Sequence, residues 1–483
     1  MFVGRKFEES KIKSFINNGK ALLVYGLRRV GKTTLIKEVL SKTETDYIYF
    51  ECEKTSEENN VSSFINLLNE KYNESYGEYK SFKNVFELIN RHHKGLLVVI
   101  DEYSYMKEYY LLSKKTDSNL KAAALDSEFQ SIIDNCLEDS KLIICGSSIS
   151  IMKGLLDYSS PLYGRFSTVI NLEPFNYLEV KEMFPNLSYT NIVEIISIFG
   201  GSPYVLSKYD SLKTLEENVL TLLLDRDGDV YRHITNNILS ELDKDPDLNL
   251  ILKCIRNGDK KYGDIEQSAK QTSSGLLDKQ LKKLLELEII EKKYPIGFEG
   301  DKRKTYYSLK DNLLRFYYAY IYQEENRISL LGSKRYYDIY IQNTLSEFIS
   351  RRFENLVRQY FSLMIKKGYY PKIIDIGSYF TSNNEYDCVF KNDNMTYAFY
   401  EVKYKKKPLS KGEMLKEIEQ VNSIKGIAVS EIGFVCSSGF EVKLPNILYL
   451  ELSDIFNIQW LEYRISKLNK LIIHSKDEQI KIR

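Results

Sequence analysis

The chain has 483 residues, 43% of them hydrophobic, and this length exceeds what one hydrophobic core holds, so about three domains are expected. Its 68 basic and 67 acidic residues nearly cancel, which excludes a uniformly basic nucleic-acid-binding protein and limits such contacts to local patches. No apolar run reaches the roughly 20 residues that span a bilayer, and residues 1–9 lack a signal-peptide core, so we expect a cytoplasmic protein with no membrane partner.

The first predicted elements are a helix over 7–15, a buried strand over 21–25 and a glycine-rich turn with the pattern Gly-x-x-x-x-Gly-Lys-Thr. The turn opens an amphipathic helix over 35–40. Glycines let backbone N–H groups close around phosphates, and the helix N-terminus adds the positive end of its dipole. The alternative is an accidental match in a loop, but the strand before it and the helix after it favour a phosphate-binding loop. The nucleotide-binding residues are then Gly26, Gly31, Lys32, Thr33 and Thr34, with Lys32 on the β- and γ-phosphates of ATP and Thr33 on Mg²⁺.

Two more buried strands are predicted over 46–52 and 96–102, and the second ends in Asp101 and Glu102. A magnesium–nucleotide site needs carboxylates at the end of a strand that neighbours the phosphate loop. We expect Asp101 to hold Mg²⁺ through a water or the Thr33 hydroxyl, and Glu102 to polarise the attacking water. The alternative is an ordinary Asp-Glu helix cap, but the upstream loop favours the catalytic interpretation.

Two polar residues flank the remaining strands of this domain. Ser147 follows a strand over 141–146, where it either senses the γ-phosphate or caps the next helix. Arg165 precedes a strand over 168–172, and an arginine there could reach a γ-phosphate in its own subunit or in a neighbour's. A solvated arginine is the alternative for Arg165.

Several motifs of the first half occur in a characteristic order: Phe2-Val3-Gly4-Arg5, the phosphate loop, Ile100-Asp101-Glu102-Tyr103, Gly146-Ser147-Ser148, Pro161-Leu162-Tyr163-Gly164-Arg165, Leu172-Glu173-Pro174-Phe175 and Gly200-Gly201-Ser202-Pro203-Tyr204. Together they resemble the archaeal-type ATPase family, a group of AAA+-related, signal-transduction-like P-loop NTPases. The resemblance implies a parallel sheet with one strand between the phosphate-loop strand and the Asp-Glu strand, followed by a helical lid. It also implies that Arg165 is an arginine finger and that Pro203 belongs to a lid motif near the nucleotide. A long polar stretch over 103–128 departs from the family pattern.

After the ATPase core, expected over 1–175, residues 176–246 have helical periodicity and are expected to form the lid, ending at a polar break over 243–247. A winged helix-turn-helix is expected over 247–310, because three helical segments precede two strand-like runs. The helices are expected over 248–257, 262–269 and 274–287, and the strands over 289–294 and 305–309. Residues 248–310 contain 14 Lys or Arg against 9 Asp or Glu, which suits phosphate contacts but equally a plain packing module. The candidate DNA contacts are Lys279, Lys282, Lys283 and Arg303.

A helical connector is expected over 311–344, and the last domain over 345–483. Its elements are expected to be a helix over 345–361, a strand over 369–375, hairpin strands over 385–390 and 397–403, and a helix over 414–424. Asp387 lies on one hairpin strand, and Glu401 and Lys403 share one face of the other. Two carboxylates and a lysine in this arrangement can hold Mg²⁺, activate water and stabilise a charged phosphorane.

The order of these residues resembles the PD-(D/E)xK nuclease pattern. The resemblance implies that Asp387, Glu401 and Lys403 are catalytic and that Asp387 and Glu401 also bind metal. It adds Glu354 as a possible fourth acid and Gln420 on the following helix. The region also resembles a C-terminal domain of unknown function that accompanies archaeal-type ATPases. A solvated sheet face with an ion pair is the alternative.

The predicted fold class is therefore α/β: a P-loop NTPase parallel sheet with a helical lid, then a winged helix-turn-helix, then an α/β restriction-endonuclease-like domain. Two classes of function stay open. In one, ATP gates a nuclease that acts on DNA; in the other, a signalling or assembly ATPase uses an inactive nuclease-like domain to bind a partner or nucleic acid. If Arg165 acted on a neighbour's nucleotide, the protein would have to form a homo-oligomer.

Overall fold

The structure is a computed structural model that describes residues 2–113, 118–239, 246–256, 258–269, 274–380 and 385–457. The chain forms two compact units. The first comprises the described residues up to Phe175 together with Ser202–Tyr204, and the second comprises Asn176–Gly201 and the described residues from Val205 onward.

The first unit is built on a five-stranded parallel sheet. Its strands are β1 (Ala21–Tyr25), β2 (Tyr47–Glu51), β3 (Leu97–Asp101), β4 (Lys141–Gly146) and β5 (Thr168–Asn171), in the spatial order β2-β3-β4-β1-β5. β4 lies between the phosphate-loop strand β1 and the Asp-Glu strand β3. The parallel α/β sheet with an inserted strand is thus confirmed.

Alternation along β1 explains why helices cover both faces of this sheet. Leu22 and Val24 belong to a core that includes residues of the first two helices, whereas Leu23 and Tyr25 belong to a core that includes residues of the later ones. The helices are α1 (Lys6–Asn18), α2 (Lys32–Leu40), α3 (Glu57–Tyr72), α4 (Phe82–His92), α5 (Ser104–Leu112), α6 (Ser118–Asn135) and α7 (Ile149–Gly154). Because both faces are buried, every residue of β1 is apolar and none alternates with a polar one.

Two stretches contain helices that the sequence reasoning did not assign. The region between β2 and β3 folds as α3 and α4, whose N-caps Ser56 and Ser81 accept hydrogen bonds from the backbone N–H of Asn59 and Asn84. The polar stretch over 103–128 contains α5 and the first part of α6. Its Lys, Ser and Ala content is compatible with helix, because alanine and lysine are good helix formers.

The second unit begins with short helices. They are α8 (Tyr177–Met183), α9 (Tyr189–Phe199), α10 (Pro203–Leu206), whose first two residues belong to the first unit, α11 (Leu215–Val219) and α12 (Asp229–His233). π-Helical turns over Leu220–Leu224 and Ile234–Ile238 continue α11 and α12. The predicted polar break over 243–247 is wrong at its end, because α13 (Pro246–Ile255) begins at a proline, a residue that suits the first turn of a helix. Residues 243–245 lie outside the described residues.

Three helices and a small antiparallel sheet follow, as the pattern predicted. The helices are α13, α14 (Tyr262–Ser268) and α15 (Ser274–Glu286), and the strands are β6 (Lys260–Lys261), β7 (Ile290–Lys293) and β8 (Tyr306–Leu309), in the order β6-β8-β7. β6 is an additional two-residue strand that the sequence did not reveal. The connector consists of α16 (Asn312–Tyr320), α17 (Glu325–Leu331) and α18 (Ser333–Tyr336), continued by a π-helical turn over Tyr337–Ile341.

The C-terminal part is a five-stranded mixed sheet with helices. The elements are α19 (Leu345–Lys366), β9 (Ile373–Phe380), β10 (Glu385–Asn392), β11 (Thr396–Lys403), α20 (Lys411–Asn422), β12 (Ala428–Cys436), β13 (Leu448–Leu450) and α21 (Leu452–Phe456). The order is β13-β12-β11-β10-β9, with β9, β10 and β11 antiparallel and β11, β12 and β13 parallel. Phe361 of α19 packs edge-on against Phe390 and Tyr400, which fixes the helix on the β10–β11 hairpin. The predicted strand over 369–375 was placed too early, since β9 begins at Ile373 and reaches Phe380.

In the part of the chain that the structure describes, no helix combines the length and apolar character that crossing a membrane requires. All six cysteines are free thiols, and five of them are buried.

Candidate nucleotide-binding site and C-terminal carboxylate site

The phosphate loop connects the end of β1 to the start of α2. Gly26 is required by close packing, because a Cβ there would lie 2.4 Å from the carbonyl oxygen of Leu172. Gly31 has φ 95°, a left-handed conformation that side chains rarely adopt. Lys32 is buried, and its Nζ donates to the carbonyl oxygens of Gly26 (2.9 Å) and Leu27 (3.0 Å). The lysine is therefore held over the loop, where its ammonium group can also meet a phosphate.

The Asp101 carboxylate joins the loop to the end of β3. The Thr33 hydroxyl donates to Asp101 Oδ2 at 2.8 Å, and the Tyr49 hydroxyl donates to the same oxygen. Asp101 is buried, with 1% of its surface exposed, so these donors compensate for its desolvation. Thr34, the next residue of α2, is exposed on the first turn of the helix.

Glu102 is held by the end of the neighbouring strand. The Ser147 hydroxyl donates to Glu102 Oε2 at 2.7 Å, and the Ser147 backbone N–H donates to the same oxygen at 3.1 Å. Burial raises the pKa of Glu102, while the hydrogen bonds from Ser147 and the charge of Lys32 oppose that rise. Glu102 also has φ 51°, a conformation that is uncommon for a residue with a side chain. Ser147 thus touches the predicted catalytic base.

Residues from both ends of the first unit brace the loop. Arg5, which is buried, donates to the carbonyl oxygen of Val30 at 3.1 Å. The Ser202 hydroxyl donates to the carbonyl oxygen of Arg29 at 3.3 Å. Pro203 lies beside Gly31, since a Cβ on that glycine would stand 3.9 Å from Pro203 Cγ. Ser202 and Pro203 of the predicted lid motif therefore border the loop.

In the C-terminal sheet, Asp387 and Glu401 lie on the adjacent strands β10 and β11, and Glu354 lies on α19. Burial comes first among the causes that raise the pKa of Asp387, followed by the negative charges of Glu354 and Glu401. Burial also raises the pKa of Glu354, as do the charges of Glu385 and Glu401. The carboxyl groups therefore repel one another in a poorly solvated place.

Basic side chains partly offset these acids. Lys403 Nζ pairs with Glu401 at 2.5 Å and with Glu417 of α20 at 3.4 Å. Gln420, which the nuclease pattern had suggested, lies one turn beyond Glu417 on the same helix. Arg358 donates to the backbone oxygen of Asp387 at 3.1 Å. Within the described ranges, no three His, Cys, Asp or Glu side chains converge closely enough to hold a metal ion.

The candidate DNA-contacting residues lie on the outer part of the small sheet and its helices. Lys279, Lys282 and Arg303 are exposed, and Lys283 is half-buried. The turn between β7 and β8 is engaged elsewhere in the second unit: Ile296 N–H donates to the Ser378 carbonyl oxygen of β9 at 2.8 Å.

Comparison with known proteins addresses the first part of the chain most directly. Residues 2–209 match a family model described as an ATPase domain predominantly from Archaea. The match spans the phosphate loop, Asp101, Glu102 and the Pro203 motif. Residues 2–209 belong to the archaeal-type ATPase family.

The matches to the rest of the chain are less informative about activity. Residues 317–418 match a second family model, whose description is "Archaea bacterial proteins of unknown function". An uncharacterised protein of Methanocaldococcus jannaschii is 29% identical over 415 residues, which cover 84% of this chain and 88% of that protein.

Two solved structures resemble the backbone in part. A Walker-type ATPase of Pyrococcus abyssi is 20% identical with a TM-score of 0.46, and the match covers 66% of this chain and 96% of that one. The ORC2 protein of Aeropyrum pernix is 13% identical with a TM-score of 0.44, and the match covers 68% of this chain and 95% of that one.

Within the archaeal-type ATPase domain, Arg165 lies at the edge of the sheet opposite the phosphate loop. It precedes β5, whose first residue, Thr168, pairs with Leu22 near the start of β1, whereas the loop follows the end of β1. The five residues of β1 span about 16 Å. Arg165 Nε instead pairs with both carboxylate oxygens of Asp134, at 3.0 and 3.1 Å. A role in its own subunit's loop therefore does not fit this position.

Sequence reasoning missed Tyr49, Arg358 and Glu417. Tyr49 carries no motif, and only the position of β2 next to β3 brings its hydroxyl to Asp101. Arg358 had a usable signal, because it follows Glu354 by four residues on a helix and so shares its face. Glu417 precedes Gln420 by three residues and had the same kind of signal. Arg5 entered the sequence analysis only as part of a motif, and in the structure it supports the loop backbone.

Proposed function

We propose that this protein is an ATP-binding and ATP-hydrolysing switch whose nucleotide state is passed to the C-terminal half of the chain. The observation that carries the proposal is the 2.8 Å hydrogen bond from Thr33 to Asp101, which joins the phosphate loop to the carboxylate strand. Glu102 follows in the chain and is oriented by Ser147. The site thus combines a phosphate cradle, oxygen ligands for a cation and a carboxylate base.

The residues at the loop fit a magnesium–nucleotide. Thr33 and Asp101 offer hydroxyl and carboxylate oxygens, which Mg²⁺ prefers as ligands, and Lys32 carries N–H donors for phosphate oxygens. The glycine at position 31 keeps a side chain away from the phosphate cradle. When bound, Mg²⁺ neutralises charge on the β- and γ-phosphates.

The residues around the loop then have separate roles in hydrolysis. Lys32 leaves the loop carbonyls for a phosphate oxygen, and Glu102 in its ionised form orients a water and accepts its proton. Ser147 holds the Glu102 carboxylate in place and favours its ionised form. Arg165 serves as an arginine finger toward a neighbouring subunit, because its edge of the sheet lies away from its own loop.

For the domains, we propose an ATPase core over 1–175, a helical lid over 176–246, a winged helix-turn-helix over 247–310, a connector over 311–344 and a nuclease-like domain from 345 onward. The three helices with an antiparallel sheet support the winged helix. The mixed sheet, with Asp387 and Glu401 on adjacent strands, supports the nuclease-like fold. Asp387 and Glu354 offer carboxylate oxygens as ligands, and a divalent cation would offset the burial and the neighbouring negative charges that raise their pKa values.

A second candidate is a signalling or assembly ATPase whose C-terminal half binds a partner or nucleic acid without cleaving it. The backbone hydrogen bond from Ile296 to Ser378 favours this candidate. It ties the turn that would serve as the wing to the edge of the C-terminal sheet, so that this turn acts as a packing element.

ATP binding is tested with the Lys32→Ala variant in a calorimetric titration with magnesium–ATP. We expect the wild-type protein to bind and the variant to lose at least about tenfold in affinity, since a charged phosphate contact is removed. The matched control is Lys42→Ala. Lys42 lies two residues after the end of α2 and forms ion pairs with Glu9 and Glu38, away from the phosphate loop. Equal affinity in all three proteins would refute the nucleotide site.

Cleavage is tested by incubating the protein with DNA and Mg²⁺ in the presence and absence of ATP, next to an Asp387→Ala, Glu401→Ala double variant. The nuclease proposal expects cleavage that the double substitution abolishes. Cleavage that survives the double substitution would refute Asp387 and Glu401 as its source. No cleavage by the wild-type protein under any nucleotide condition would leave the non-cleaving candidate.

A further inference from the structure

Four arginines of the second unit gather next to the carboxylate site. Arg315 of α16 and three arginines of α19, Arg351, Arg352 and Arg358, line a cavity of about 370 Å³ together with Asp387. The cavity thus brings guanidinium groups from two helices to the same space as the predicted catalytic acid. The lining also contains Lys260 and Lys293 and the acids Asp259, Glu354 and Glu385, so basic side chains outnumber acidic ones by six to four. A net positive lining of this kind suits an anion.

Two of these arginines are buried without using all their donors. Arg315 is 3% exposed and Arg352 is 5% exposed. Arg315 donates to the Ser308 hydroxyl, and Arg352 donates to the Phe348 carbonyl oxygen at 2.7 Å. Among the residues that the structure describes, however, the Nε of each has no hydrogen-bond partner. A buried guanidinium with an unused donor is costly. The Nε atoms themselves are closed to solvent, so an anion would meet these arginines through the atoms that line the cavity.

The charges around the cavity also favour an anionic ligand. Burial and the positive charges of Arg315 and Arg351 lower the pKa of Arg352 to about 9. Within the chain, Glu347 pairs with Arg351 at 2.7 Å and the charge of Asp259 acts on Arg315, so the repulsion among the guanidinium groups is relieved only in part.

A second cavity adjoins the same pair of arginines. It has a volume of about 360 Å³, and its lining includes Arg351, Arg352 and the tyrosines Tyr320, Tyr336 and Tyr340, together with the acids Glu324 and Glu347. Aromatic rings next to guanidinium groups are the combination that stacks bases while phosphates are held by charge. Each cavity has the size of a nucleotide rather than of a duplex.

We propose that Arg315, Arg351 and Arg352 form a phosphate-binding site for single-stranded nucleic acid, with its phosphates on the arginines and a base against the tyrosines of the second cavity. The choice of a polynucleotide as ligand rests on the proposed nucleic-acid role of the C-terminal half, whereas the anion site follows from the buried arginines. A strand bound in this way would bring a phosphodiester to Asp387. The site neither requires ATP hydrolysis nor depends on cleavage.

The test is fluorescence anisotropy with a labelled single-stranded DNA oligonucleotide in EDTA, so that cleavage does not contribute. The full-length protein carries Lys32→Ala, which removes phosphate binding at the loop. In this background, Arg351→Gln and Arg352→Gln should each weaken binding about tenfold and should each make the dependence of affinity on salt shallower by about one unit of slope. The control is Arg335→Gln, an exposed arginine of α18 that lines neither cavity and should leave affinity and slope unchanged.

Equal affinity in all variants, or an equal loss in Arg335→Gln, would overturn the proposal. So would AMP binding that depends on Arg351 in a protein that does not bind the oligonucleotide, because the ligand would then be a free nucleotide. Arg352 also lies over the Phe348 ring, so circular dichroism checks its variant, and the half-exposed Arg351 decides the test if Arg352→Gln does not fold. Failure of the ATP-binding test leaves this outcome unaffected, since the assay contains no ATP.

Discussion

The chemistry of the ATPase site depends on how Ser147 holds the carboxylate of Glu102. Burial raises the pKa of Glu102, and the hydrogen bond from the Ser147 hydroxyl lowers it. In Ser147→Ala the lowering contribution is lost, so the pKa rises further and the ionised base is lost at a higher pH. We expect the acidic limb of the rate of ATP hydrolysis to move upward by about one pH unit, with little change at alkaline pH.

The control for this pH profile is Ser148→Ala. Ser148 is the N-cap of α7 but makes no side-chain capping bond, so its variant should keep the wild-type profile. A Ser147→Ala profile that superimposes on the wild type, or that moves to lower pH, would contradict the role given to this serine.

Individual residues were predictable where a motif fixes their spacing. Lys32 and Thr33 follow from the loop pattern, and Asp101 and Glu102 follow from an apolar strand that ends in two acids. Tyr49 was not predictable, because its hydroxyl reaches Asp101 only through the order of strands in the sheet. The separation of Arg165 from the loop follows in the same way from the direction of β5.

Among the secondary-structure elements, the pairing of β1 with β5 limits the size of the side chain at position 26 of the loop. Leu172 N–H donates to the Tyr25 carbonyl oxygen at 2.7 Å, and this brings the Leu172 backbone against Gly26. In Gly26→Ala the added Cβ would stand 2.4 Å from a backbone oxygen that cannot turn away. We expect the free energy of unfolding, measured by urea denaturation, to fall by about 3 kcal/mol and ATP binding to be lost.

Gly154→Ala is the matched control, because a Cβ at that glycine meets nothing within 4 Å. Its stability and ATP affinity should stay close to those of the wild type. If Gly26→Ala were as stable as Gly154→Ala, the close packing of the loop start against Leu172, the residue after β5, would not exist in solution.

Elements were predictable where hydrophobic periodicity is strong. The strands of the parallel sheet are continuous apolar runs, and α19 begins where its periodicity begins. β6 was missed because two lysines carry no strand pattern and pair only through β8. The start of β9 was placed too early because Tyr369 and Tyr370 favour strands by composition but lie before the paired residues.

For the whole molecule, the position of Arg165 predicts that hydrolysis needs two subunits. Lys32→Ala should lose hydrolysis because it lacks a phosphate contact, and Arg165→Ala because it lacks the finger. Mixing the two variants should restore up to about a quarter of the wild-type rate, since each mixed interface can combine an intact loop with an intact Arg165. The measurement is the ATPase rate of the mixture at a concentration where the protein is oligomeric.

A double variant that carries both substitutions on one chain is the control, and mixing it with Arg165→Ala should restore nothing. No recovery in the mixture of single variants, despite a shared oligomer, would mean that Arg165 is not the arginine finger.

At the scale of the whole molecule, the parallel α/β architecture and the predicted phosphate loop were accessible from the sequence. The arginine-lined cavity was not, because Arg315 and Arg352 lie on separate helices that meet only in the folded second unit.

The central claim is that Glu102 makes this site an ATPase rather than only a nucleotide-binding site. The most direct measurement is single-turnover hydrolysis of magnesium–ATP by Glu102→Gln, together with its ATP affinity. We predict that the variant binds ATP within about threefold of the wild-type affinity and hydrolyses it at least about a hundredfold more slowly, because a general base contributes about that much. Hydrolysis by Glu102→Gln at the wild-type rate would contradict the account.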